Sequence, residues 1–283
     1  MRPPILFPAR RPSPLARAQF LQRRFTLLGV AGTVRIALSA IDMAFGMRTR
    51  GRSGSRFLIF LAVMHGHCPP KARAGPHGAA GACRRGGEDA DAGTEGVEAA
   101  PRLSNPGGGS CRVSIMVDYN QALTLAEALK RGRALDTHDI LWIEEPITHE
   151  DYTSCARLTR ALTTPVQIGE NYNGPAGLSR ALAAGACDLV MPDIARVGGV
   201  TGWMQASGIA AAAGIELSSH LMPELSAQLF CATATAHWLE HVDWADAFLK
   251  EPMRVVDGKA IPSGRSGTGL EWDEARLQSL ETL

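Results

Sequence analysis

A chain of 283 residues, 45% of them hydrophobic, can bury one large core, and a single α/β barrel of about 250 residues fits that length as well as two small domains would. With 29 basic and 28 acidic side chains the net charge is +1, which argues against nucleic acid or a membrane surface as a partner. Six cysteines without a C-x-x-C pair read as reduced thiols in a cytoplasmic protein, and the longest apolar run, Phe57 to Met64, falls far short of the roughly 20 residues that cross a bilayer.

The chain begins with an arginine-rich stretch that has the look of a targeting n-region, but the apolar residues after it are interrupted by Arg35 and Asp42. No signal peptide is expected, and residues 1–19 read as a disordered tail. Over residues 20–45, Val34, Ala37, Leu38, Ile41, Ala44 and Phe45 recur at helical spacing and predict a helix. Residues 46–113 change in texture: "GRSGSR", "PPKARAGPHGAAGACRRGGEDADAGTEG" and "SNPGGGS" are rich in Gly, Ala and Arg and offer few apolar anchors. An irregular or disordered segment is expected there.

From Ser114 to the last residue, 283, the pattern is regular. The apolar runs "SIMVDYN", "ILWIEEP", "PVQIGEN", "DLVMPDI", "IELSSHL" and "AHWLEHV" alternate with helical stretches rich in Ala and Leu. Such alternation predicts parallel strands with crossover helices, a barrel domain over residues 114–283. Each run delivers an ionisable group at its carboxyl end: Asp118, Glu144, Glu170, Asp193, His220 and Glu240. In a barrel those ends share one mouth, where the chemistry of the fold resides.

Asp118, Glu144 and Glu170 are spaced 26 and 26 residues apart, one βα unit each. Three carboxylates in a half-desolvated pocket repel one another unless a cation shares them, and an all-oxygen set suits magnesium, with manganese as the softer substitute. Any one of them would serve equally well as a helix cap or a surface charge; three in register favour the shared role. Glu145 must point to the other side of the strand and reads as structural, held by a basic partner. His220, 27 residues after Asp193, falls one strand further round the mouth, where the carboxylate would bond one ring nitrogen and leave the other as a base. Glu240 stays open on spacing alone between a site residue and a surface residue.

The words "IMVDYNQ", "WIEEP", "PVQIGEN", "MPDIARVGGVTGW", "SSHLMPELSA" and "TAHWLE" resemble the barrel domain of the mandelate racemase subgroup of the enolase superfamily, and "RRFTLLGVAGTVRIALSAIDMAF" resembles the helical end of its capping domain. The resemblance implies a TIM-like (β/α)7β barrel that here lacks its first strand, with a remnant of the α+β capping domain over residues 20–45. It implies that Asp118, Glu144 and Glu170 bind magnesium, that the His220–Asp193 dyad moves the proton next to a substrate carboxylate, that Glu240 donates to the enolic oxygen, and that Asn120 lies close to the substrate. The implied partner is a small carboxylate, a hydroxy or sugar acid undergoing racemisation or dehydration, and the family's habit implies a homo-oligomer.

The departures define an alternative. The family's opposite-face base is a lysine in a Lys-x-Lys motif about one βα unit ahead of the position of Asp118. Here the lysines are Lys71, Lys130, Lys250 and Lys259, and none has that place. Arg196 stands where the family often has a lysine; it would pair with Asp193 but does not readily give up a proton. Since both flanks of residues 46–113 match and the middle does not, that stretch reads as frame-shifted or miscalled, so that its DNA in another frame would encode the missing strand. The alternative function is a catalytically impaired remnant that binds metal or oligomerises without turnover.

Overall fold

The computed structural model describes residues 13–24, 34–43, 73–76, 83–85, 114–256, 259–265 and 268–280. The first element, helix α1 (Pro14–Arg24), starts inside the expected tail. Ser13 caps it, its Oγ accepting from the Ala16 amide at 3.2 Å, and proline at the first helical position is preorganised for that turn. A second helix, α2, covers residues 34–43. Most of 46–113 lies outside the described residues, but two short strands within it are described, β1 (Arg73–Pro76) and β2 (Cys83–Arg85).

The regular half follows the expected alternation: β3 (Ile115–Asp118), α3 (Leu125–Leu135), β4 (Ile140–Glu144), α4 (Tyr152–Ala161), β5 (Val166–Ile168), α5 (Pro175–Ala184), β6 (Leu189–Val190), the short α6 (Ile194–Val197), α7 (Gly199–Ala213), β7 (Leu217–Ser219), α8 (Pro223–Phe230) and β8 (Ala236–His241). Strands β9 (Arg254–Val256) and β10 (Lys259–Ile261) and helix α9 (Glu274–Leu280) complete the described elements. The helix starts carry local signals. Thr124 accepts from the Glu127 amide before α3, and Asp151 accepts from the Ser154 amide before α4.

The strands form one sheet in the order β2-β3-β4-β5-β6-β7-β8-β1-β10-β9. From β3 to β8 every pairing is parallel; β2 adds in parallel to β3 and β1 in parallel to β8, whereas β10 and β9 extend the far margin antiparallel. Among the described residues β1 and β2 do not pair with each other, so the arc is a partial barrel. In place of the absent first strand of the sequence reading, the four residues of β1 flank β8.

Pleating sorts the side chains into two layers. Val166, Ile168, Val190, Leu217 and Leu239 join Leu158, Leu178, Trp203 and Phe230 from the helices in one buried cluster. The opposite face holds a small plug of Met116, Trp142 and Leu189, with Leu141 and Trp238 packed against it. The alternation that sends Met116 and Trp142 into the plug sends Asp118 and Glu144, two residues on, to the same side above it.

Candidate active site

Asp118 and Glu144 are the last residues of β3 and β4 and are register partners across that pair, so two carboxylates stand side by side. Both are buried, at 6% and 5% exposure. Burial drives the Glu144 carboxyl up to about 8, with the charges of Asp118, Glu240 and Glu170 adding to the rise and the Trp142 hydrogen bond opposing it. Glu144 Oε2 accepts from Trp142 Nε1 at 3.1 Å and from Gln167 Nε2 at 3.3 Å. Asp118 accepts from both the backbone N–H and the side-chain amide of Asn120, at 2.8 and 2.7 Å.

Glu145 follows Glu144 at a φ of 34°. The basic partner expected for it is not what holds it. Its carboxylate accepts from Asn171 Nδ2 at 2.9 Å and from the Gly169 amide at 3.5 Å. Burial, then the charge of Glu170, raises its carboxyl to about 7 against the pull of those two bonds. Asn171 also donates to Glu170 Oε1 at 3.0 Å and accepts from Arg196 Nη1. Arg196 therefore reaches the carboxylates through Asn171, where the sequence reading paired its side chain with Asp193. Only the Arg196 backbone amide meets Asp193.

The dyad is assembled. Asp193, three residues beyond β6, is the N-cap of α6: its Oδ1 accepts from the Ala195 and Arg196 amides at 2.6 and 3.0 Å, and its Oδ2 meets His220 Nδ1 at 2.8 Å. Cap and site residue are thus one side chain. A carboxylate only accepts, so Nδ1 donates to Asp193; Nε2, 3.3 Å from Glu170 Oε2 and facing it as a donor whenever the ring is charged, is the nitrogen left for proton transfer. Burial pushes the imidazole down, but the Asp193 hydrogen bond and the charges of Glu170, Glu240 and Asp193 outweigh it and raise His220 to about 9. Glu240 joins from β8, its Oε2 accepting from the Leu221 amide at 2.6 Å and its own amide donating to Ser219 Oγ at 3.3 Å.

Non-glycine residues with positive φ gather at these strand ends: Asn120, Gln121, Glu145, Leu221 and Met222. Strain of that kind persists where surroundings over-determine the backbone. Asn120, expected near a substrate, is seen here orienting Asp118. Trp142, Gln167 and Asn171 are supporting residues the sequence reading missed. A polar Gln167 in the middle of the apolar word "PVQIGEN" is the signal that could have found one of them.

As donors the three carboxylates fit a hard divalent cation: all are oxygen, two are buried, and Glu144 shows the cost of burial and then of neighbouring negative charge. As they stand, each is turned onto a local donor, and no three His, Cys, Asp or Glu side chains among the described residues converge as a metal cage.

A family model described as "Enolase C-terminal domain-like" matches residues 81–276. The L-talarate/galactarate dehydratase of Salmonella typhimurium is 32% identical over 160 residues, 56% of this chain and 40% of its own length. The 3,6-anhydro-alpha-L-galactonate cycloisomerase of Streptomyces coelicolor is 32% identical over 167 residues, 59% of this chain and 46% of its own length. The chain thus spans less than half of these curated relatives. An enolase from Bradyrhizobium, crystallised with magnesium and mandelic acid, superposes with a TM-score of 0.77 at 34% identity, covering 94% of this chain and 77% of that one. No helix among the described residues is long and apolar enough to cross a membrane.

Proposed function

Because the chain belongs to the Enolase C-terminal domain-like family, we propose that it removes the proton α to the carboxylate of a hydroxy or sugar acid and drives dehydration. The observation that carries this reading is the His220–Asp193 pair at 2.8 Å, with Nε2 directed to the carboxylate of Glu170 at 3.3 Å. Asp118, Glu144 and Glu170 would hold a divalent cation, magnesium or manganese, which when bound supplies positive charge for the substrate carboxylate as its oxygens become more negative.

The protein's own groups do the rest. Asp193 fixes the tautomer and the ring plane, so that His220 Nε2 takes the α-proton and later returns it to a departing hydroxyl. A well-placed general base contributes on the order of 10² to 10⁴ in rate. Glu240, held to the Leu221 amide, is read as the group facing the developing enolate. Dehydration is favoured over racemisation because it needs one base. The strand paired with β3 on the side away from β4 is Cys83–Arg84–Arg85, whose sequence contains no lysine. We read the acting species as a cytoplasmic homo-oligomer whose partner is the small acid alone.

The open arc between β1 and β2 favours one second reading, a remnant that binds the cation without turnover. Incubation in deuterated water with galactarate, glucarate, other sugar acids and mandelate, with magnesium or with EDTA, separates the two. Conversion of an acid to its keto-acid product, or deuterium at the α-carbon of recovered acid, that needs magnesium and drops by at least about 10² in His220→Asn supports the enzyme; magnesium binding with neither product nor exchange on any acid supports the remnant.

A further inference from the structure

Helix α7 begins without a cap of its own, because Gly198 at its N-cap has no side chain to offer. The missing acceptor comes from α2, 159 residues earlier: the Thr201 amide donates to Asp42 Oδ2 at 2.9 Å, and the Thr201 hydroxyl to Asp42 Oδ1 at 2.7 Å. Both carboxylate oxygens are committed. The approach is possible because residue 199 is glycine; a Cβ there would lie 2.9 Å from both Asp42 Oδ2 and the Ser39 carbonyl.

The same helix touches a second loop. Arg35 is 7% exposed, and its guanidinium fills the space where a side chain at Gly174 would be, 3.2 Å from the Cβ position. Gly174 follows Glu170 and Asn171 in the β5–α5 loop, and its amide donates to the Arg196 carbonyl at 3.2 Å. Helix α2 thus bears at once on the loop that carries Glu170 and Asn171 and on the turn that leaves Asp193 and Arg196.

We propose that Asp42 and Arg35 are positioning residues for the His220–Asp193 dyad: docked α2 pins the α6–α7 turn against the β5–α5 loop and so fixes where Asp193 holds the imidazole. The helix is therefore part of the support of the mouth. The inference rests on the reading of the dyad as the proton-transfer pair, and its test has a readout that does not depend on turnover.

The native chain, Asp42→Ala, Asp42→Asn and Thr201→Val are compared by amide hydrogen exchange over residues 171–174 and 193–203, and by the kcat and KM of magnesium-dependent acid turnover. In Asp42→Ala exchange should quicken about tenfold, the factor a lost cap gives, across 193–198 and 171–174 as well as in the first turn of α7. Its kcat should fall with KM held within about twofold, the signature of misplaced chemistry rather than lost binding. Asp42→Asn, which keeps a carbonyl acceptor, should recover part of both. Faster exchange confined to 199–203, or an unchanged kcat, would make Asp42 a simple cap and overturn the proposal. If Asp42→Ala fails to fold, Thr201→Val, which keeps the backbone bond, decides by the same two measures. If the native chain neither dehydrates nor exchanges any acid, the functional reading fails, and the amide comparison still decides whether α2 governs the two loops.

Discussion

The indole of Trp142 stands beneath Glu144 and donates to it at 3.1 Å, while its rings stack tilted against His237 and edge-on to Trp238, with centroids 5.8 and 6.3 Å away. Trp142→Phe keeps an aromatic in the plug and removes the donor, so the fold should survive. Outer-shell partners of metal ligands are worth about 10- to 100-fold in metal affinity, so magnesium affinity by calorimetric titration should fall within that range. An affinity within about twofold of native would mean that Gln167 alone orients the carboxylate. At this scale the ends of the apolar runs are legible in the sequence as a series, one ionisable residue per run, although any one of them alone reads equally well as a helix cap, which Asp193 also is. The partners are not legible. Asn171 bonds both Glu145 and Glu170 across a loop, a coincidence of fold that spacing does not encode.

Among the elements, the turn from β5 to Glu170 has no room for a side chain. Gly169 has a φ of 142°, and a Cβ there would come within 2.9 Å of the Met191 backbone nitrogen and of the Tyr172 ring. Gly169→Ala should lower stability by more than the roughly 1–2 kcal/mol that an unfavourable left-handed alanine costs by itself, because the contact is with backbone that does not swing aside. Urea denaturation measures the loss, and magnesium binding should weaken with it as Glu170 shifts; a loss under about 1 kcal/mol would show that β6 gives way easily. Helix boundaries are legible where a cap is local, as at Thr124 and Asp151, and illegible where it is not. Nothing near Gly198 announces that its acceptor is Asp42. The start of α1 at Pro14, inside the expected tail, is a local signal passed over in favour of composition.

Across the whole molecule the excess of buried negative charge sets the pH response. Glu144 and Glu145, near 8 and 7 in the folded state, bind protons that the unfolded chain has released above about 4.5, so stability declines as pH rises through that window. His220, raised from 6.5 to about 9, contributes stability that is full below 6.5 and lost as pH climbs toward 9, which has the same sign. The metal-free protein should therefore melt at progressively lower temperature from pH 5 to pH 9. Saturating magnesium should flatten that slope and add about 2.7 kcal/mol at a hundredfold excess over Kd. A midpoint that rises with pH, or ignores magnesium, would remove the shared-cation reading. The barrel half is legible because one strand and one helix repeat in order; the segment that supplies β1 and β2 is not, because three or four residues among glycine, alanine and arginine carry no period to detect.

The bond between Asp42 and Thr201 ties positions 159 residues apart, and closing so long a loop costs on the order of 4 kcal/mol in chain entropy. Such a tie gains nothing until the intervening strands have already brought its ends together, so it belongs to the last stage of folding. A ribosome releases α2 long before the turn that receives it. For most of synthesis that segment, too short to hold a helix by itself, has no partner for its carboxylate but water, until α7 has emerged and stands in place to be closed upon.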